Sequence, residues 1–235
     1  ATSMKPNKNN YPTLDISKLS KFANGKNRDI YLVSHPAPDT DGTERICVLK
    51  VLRSKANQER ELSSKMVLKS LFPASRQRVI LKEVKYLEKL LRRGAIQGFQ
   101  PPIPAFRGFV NTAKGRGTLW ETMLDRSGNL APSIKELGQA GKLADAVEPL
   151  NRFVKICFDH NIVAPDINEN NLTLTYRNDQ SEVVLVDGFG DHRLISLRSI
   201  WPALNARSLA DRFDRLGRRT GLQFDRGVGR FLPVS

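Results

Sequence analysis

Asp166, Asn171 and Asp187 are the residues whose types and spacing best suit chemistry in this chain. They lie in one stretch, His160 to Asp191, with Asn171 five positions after Asp166. A polar turn and an apolar run, Val183 to Val186, lead to Asp187, which opens the segment Asp187-Gly188-Phe189-Gly190. An acid, an amide and a second acid, carried on a loop and two short strands, suit phosphoryl transfer from a magnesium-bound nucleotide. Asp166 would orient the attacking hydroxyl, while Asn171 and Asp187 would hold Mg²⁺ on the phosphates.

The elements that must position these residues are legible as hydrophobic periodicities and turn signals. Leu19 to Val33 reads as strand, turn, strand, with the turn at Asn24-Gly25-Lys26-Asn27. Gly25 and Lys26 either lie over phosphates, offering backbone N–H groups, or close an ordinary hairpin. Arg45 to Leu52 reads as a strand whose apolar run is interrupted by Lys50. A buried lysine needs a counter-charge; an edge-strand lysine needs only water.

Residues 76–93 read as a helix with Ile80, Val84, Leu87 and Leu91 in one apolar stripe and Gly94 at its end. Glu83 lies on the inner side of that stripe, and Glu88 is the rival inward acid. A strand lysine paired with a helix glutamate is how kinases place the α/β-phosphates. Further strands fall at Phe106–Asn111 and Thr118–Met123, joined by a turn at Lys114-Gly115-Arg116-Gly117. The end of the second, Glu121 to Met123, suits a hinge whose backbone meets an adenine. Residues 142–159 read as a helix with Leu143, Val147, Leu150, Val154 and Cys157 on one face. Leu204 to Gly217 reads as an arginine-rich helix.

Bulk properties narrow the class. The 235 residues suffice for one large domain or two small lobes. A net charge of +14 implies an anionic partner, here an acidic protein substrate or a nucleotide. Nucleic acid is disfavoured, because no zinc pattern and no aromatic-basic interleaving accompany the charge. Cys47 and Cys157, far apart and without metal-ligand spacing, read as reduced buried thiols. No apolar run is long enough for a membrane span and no apolar signal region opens the chain, so a cytoplasmic setting is expected: a bacterial cytosol, or a host cytosol if the protein is exported.

The order of glycine turn, strand lysine, helix glutamate, hinge, Asp/Asn loop and Asp-Gly-Phe-Gly resembles the protein-kinase-like superfamily. More closely, the chain resembles the bacterial YrbL family of PhoP-regulatory-network proteins. The matching stretches are Ala23 to Arg28 with Tyr31 and His35-Pro36, Glu83 to Tyr86, and Asp125 to Asn129. They continue with Asn161-Ile162-Val163 leading to Asn171, and Val186 to Gly190 leading to Trp201. The resemblance implies ATP and Mg²⁺ as cofactors, with Lys50 on the α/β-phosphates, Glu83 holding Lys50, Asp166 as catalytic base, and Asn171 and Asp187 as metal ligands. Four positions depart from the kinase pattern. Ala164 stands where a histidine is usual, Asn168 where a lysine is common, Asp187-Gly188-Phe189-Gly190 carries an extra residue, and no Ala-Pro-Glu follows.

The expectation is an α+β, bilobal, minimal kinase-like fold. It has a disordered segment at 1–15, an N-lobe of antiparallel sheet and one main helix at 16–123, and a reduced, mostly helical C-lobe with a basic helix at 124–235. The expected activity is phosphate transfer to a hydroxyl, most readily of protein Ser/Thr. The alternatives are a sugar or lipopolysaccharide acceptor, or a pseudokinase-like nucleotide-binding module.

Overall fold

The computed structural model describes residues 11–24, 28–36, 44–52, 73–189 and 201–233. Gly25, Lys26 and Gly190 lie outside the described residues, as do the side chains of 73–82, Ile80 among them. The chain is mixed α/β and divides into two compact units. One comprises Ala1–Pro73 and Ala105–Thr122, the other Ala74–Pro104 and Met123–Ser235.

The first unit is an antiparallel five-stranded sheet: β1 (Ala23–Asn24), β2 (Arg28–Pro36), β3 (Glu44–Leu52), β4 (Phe106–Thr112) and β5 (Gly115–Glu121), in the order β1-β2-β3-β5-β4. The central strand β3 alternates. Cys47, Leu49 and Val51 are buried with Tyr31, Val33, Val110, Leu119 and Ile16 in one core. Val48 and Lys50 occupy the opposite face, as period two requires. Lys50 is therefore not an edge-strand lysine: it pairs with Ile30 on one side and Thr118 on the other and is only 5% exposed.

Two local readings of this unit change. The β4–β5 turn closes at Thr112↔Gly115, one step earlier than the glycine pair suggests. Gly117 sits inside β5 because a Cβ there would stand 2.6 Å from Leu49 Cδ1. Residues 11–15, placed in the frayed start by composition, instead run along β4. Leu14 N–H donates to Asn111 O, Asn111 N–H to Pro12 O, and the Asn111 amide to Tyr11 O. One asparagine thereby satisfies the polar backbone that would otherwise keep this segment in water.

The second unit begins with helix α1 (Pro73–Gln97), which the sequence reading grouped with the sheet. Its inward stripe is Glu83, Val84, Leu87 and Leu90, whereas Leu91 is 44% exposed. The helix also runs past Gly94. Phe99 N–H bonds back to Gly94 O, and Gly98 takes the left-handed conformation with φ of 69°. Gly98 is thus the C-terminal glycine of a Schellman motif. Gly94 serves a different need: a Cβ there would meet Phe99 O at 2.5 Å.

Helices α2 (Ile134–Gln139) and α3 (Ala144–Asp159) follow. The sequence reading missed α2, although Ser133 and Glu136 form a reciprocal capping box. In α3, Leu150, Val154 and Cys157 are buried as expected, joined by Ala146, Pro149 and Phe153. Strands β6 (Leu172–Arg177) and β7 (Gln180–Leu185) form a hairpin. Asn178 and Asp179 both adopt positive φ, the requirement of a two-residue type I′ turn.

Helix α4 (Pro202–Thr220) and the short β8 (Phe224–Asp225) and β9 (Arg230–Phe231) complete the unit. The arginine-rich helix adds to the core. Its Leu209, Phe213 and Leu216 are buried, and the Phe213 ring meets those of Phe153, Phe158, Phe224 and Phe231. Removing such a ring typically costs about 3–5 kcal/mol. Among the described residues no helix is long and apolar enough to cross a membrane.

Candidate functional site

The second unit brings Asp166, Asn171 and Asp187 into one cluster. The loop bearing Asp166 leaves α3 at His160, whose ring stacks on Phe99 and bonds Gln97. The next residues are held from two helices. Tyr86 of α1 accepts the Val163 N–H at 2.8 Å. Asn205 of α4, only 2% exposed, donates to Asn161 Oδ1 at 2.8 Å and Ile162 O at 3.0 Å. Ala164 is itself buried at 2% exposure. Two polar clamps thus fix the loop.

Asp166 projects from this loop and is exposed. Asn168 Nδ2 donates to its Oδ1 at 3.2 Å and to its backbone O at 3.0 Å. Asn171 Nδ2 donates to its Oδ2 and to the same backbone O, both at 3.0 Å. Asn168 Oδ1 in turn accepts the N–H groups of Asn170 and Asn171. The two asparagines orient the carboxylate and tie the turn that starts β6.

Asp187 follows β7. Val186 N–H donates to Asn171 O, which sets the β7 end beside the loop. Asp187 Oδ1 accepts the Gly188 N–H at 3.0 Å, and Gly188 O receives the Asp166 N–H at 3.3 Å. Gly188 has φ of 77°, and a Cβ on it would stand 2.3 Å from Asp166 Cβ. The extra glycine is therefore what lets the two acidic segments touch. Phe189 after it is fully buried.

A family model described as PhoP regulatory network protein YrbL matches residues 14–221. The chain belongs to the YrbL family. No curated protein matches it. The span matched by the YrbL model contains every candidate residue named from the sequence.

The remaining candidates of this YrbL-family chain are placed as follows. Lys50, in the first unit, is buried with its Nζ 5.3 Å from the centre of the Trp120 ring. Glu83, in the second, is 3% exposed, while Glu88 faces solvent, so Glu83 is the inward acid of α1. Glu121 Oε2 accepts the Ala105 N–H at 2.9 Å. Met123 is buried and its carbonyl receives the Ala131 N–H. Asp125 closes the following turn, its Oδ1 accepting from Ser127 and Asn129 N–H. Cys47 and Cys157 are free thiols, and burial pushes both up from the ordinary thiol range, which leaves neither suited to act as a nucleophile.

The donor chemistry of the cluster fits a hard cation. Asp187 offers carboxylate oxygen and Asn171 an amide oxygen, its Nδ2 being turned to Asp166. Among the described residues no group of three or more His, Cys, Asp or Glu could hold a metal alone. A sparse oxygen set completed by water and substrate phosphates is the usual mode of Mg²⁺.

Sequence reasoning missed Tyr86, Asn205 and the need for Gly188. Asn205 left a signal: it is the one polar member of the α4 stripe it forms with Leu209, Phe213 and Leu216. Tyr86 and Gly188 left none beyond their place in the motifs.

Proposed function

We propose that this YrbL-family protein is an ATP- and Mg²⁺-dependent phosphotransferase of kinase-like, bilobal fold that acts on a hydroxyl, most readily of protein Ser/Thr. The observation that supports it is the cluster of Asp166, Asn171 and Asp187, tied through Gly188. On this reading Asp166 orients the acceptor hydroxyl and takes up its proton. Asn171 and Asp187 hold Mg²⁺, which neutralises charge on the phosphates. Lys50, on β3 as in protein kinases, contacts the α/β-phosphates. The backbone at Glu121 to Met123 meets the adenine.

The test is calorimetry of ATP binding with and without Mg²⁺. Asp187→Ala should lose the Mg²⁺-dependent part of the affinity and keep its melting temperature. Unchanged Mg²⁺ dependence in that variant would remove Asp187 from the metal site.

One observation favours a second reading, a nucleotide-binding regulatory module without turnover. Both carboxylate oxygens of Asp166 already accept side-chain amides, as a loop cap would. Asn168 also stands where a cation toward the γ-phosphate is common. Radiolabelled ATP incubated with the protein and a lysate separates the two: transfer to any acceptor supports the phosphotransferase, and its absence beside intact ATP binding supports the module.

A further inference from the structure

A groove of about 710 Å³ opens between α3, α4 and the β8–β9 hairpin, and it shares no residue with the Asp166 cluster. Its apolar lining includes Phe158, Phe224 and Val228, the last 63% exposed. Its charges divide unevenly. Glu148 is paired with Arg152, Asp159 with Lys155, and the nearby Asp211 and Asp214 are both taken by Arg226. Arg207 and Arg230 also line the groove without an ion pair among the described residues, Arg230 standing opposite Asp225 in the β8–β9 register. Five cations thus stand against four acids, and Arg207 and Arg230 are the two cations outside these ion pairs, beside the apolar lining.

We infer that this groove docks an acidic, extended segment of a partner protein, with one aromatic or aliphatic side chain seated between its carboxylates. The carboxylates meet Arg207 and Arg230, and the apolar side chain covers Val228, Phe158 and Phe224. Arginine suits this task because its planar fork matches a carboxylate. A dense polyanion fits less well. It has no use for the apolar side chains that line the groove. The net charge of +14 favours encounter with any acidic partner, while the groove adds the selectivity that charge alone lacks. This inference needs no nucleotide and stands apart from phosphate transfer.

Fluorescence anisotropy tests it with the full chain at physiological salt. The probe is a short fluorescein-labelled peptide of glutamates flanking one Phe and one Leu. Saturable binding is expected. Affinity should fall about tenfold in the double variant Arg207→Glu, Arg230→Glu, where two attractions become repulsions. A similar fall is expected in Val228→Asp, and for a peptide with Ser in place of Phe and Leu. All three substituted residues are exposed, so melting temperatures should be unchanged. No binding by the wild type, or unchanged affinity in the double variant, overturns the proposal. Equal binding of the serine peptide, or displacement of the probe by a single-stranded oligonucleotide at lower concentration than by unlabelled peptide, shows a general polyanion surface and overturns it too.

Discussion

Gly188 lies so close to Asp166 that a Cβ on the glycine would stand 2.3 Å from the Asp166 Cβ. Gly188→Ala therefore carries two burdens, a left-handed backbone and a collision. The first is worth about 1–2 kcal/mol. Gly128 supplies the control, since its φ is 82° and a Cβ there meets nothing within 4 Å. Gly128→Ala should lower stability by the backbone amount alone. Gly188→Ala should lower it further and, if the protein is the proposed phosphotransferase, also abolish transfer, because Asp166 must move. Thermal melts and transfer assays on the two variants check this, and equal losses in both would show that the contact yields freely.

Asp166→Asn keeps the shape and removes the charge. An amide has one oxygen to accept with, so either Asn168 or Asn171 loses its side-chain bond and keeps only the one to the Asp166 backbone O. As general base, Asp166 should be worth about 10²–10⁴ in rate, with ATP affinity nearly intact. As a loop cap, it should be worth about 1 kcal/mol in stability with transfer retained. Melting temperature, ATP affinity and transfer measured on this one variant separate the outcomes.

The loop before Asp166 gives a third expectation. Tyr86→Phe strips the acceptor from Val163 N–H, and Asn205→Ala strips the donor from Asn161 and Ile162. Each should cost about 1–3 kcal/mol in urea unfolding. Amide exchange at Val163 should accelerate in both variants. Unaltered exchange would mean that the loop holds itself.

A pH dependence follows from the α2 cap. The Ser133 N–H and hydroxyl both donate to Glu136 Oε2, and they hold the Glu136 carboxyl below its ordinary range. A carboxyl lowered on folding stabilises the folded state above its unfolded value of 4.5. That contribution disappears as pH falls through the lower folded value. Glu136→Gln should thus be less stable than wild type at neutral pH, and the two melting curves should converge in acid. A gap that widens in acid would reverse the sign and refute the assignment.

How much of this was legible depended on whether a residue's job was local. The β2 and β3 strands, the α3 face and the order of Asp166, Asn171 and Asp187 follow from short-range periodicity and spacing. The inward turn of Glu83 rather than Glu88 needed the helix packing, because both lie within a turn of apolar residues. Gly94 reads as a helix end and Gly117 as part of a turn, yet each admits a close neighbour, Phe99 O or Leu49. A glycine's sequence context does not distinguish a turn from a tight contact. Asn205 and Asn111 act on segments 44 and 100 positions away, and no periodicity carries such distances.

The bond from Asn205 to Asn161 and Ile162 also has a meaning in time. A ribosome makes Asp166, Asn171 and Asp187 well before it makes α4. Until Asn205 has emerged, the loop that carries Asp166 lacks one of its two ties. Translation thus delivers the three polar residues before the clamp that orders their loop, and a growing chain passes through an interval in which they are made but not yet set.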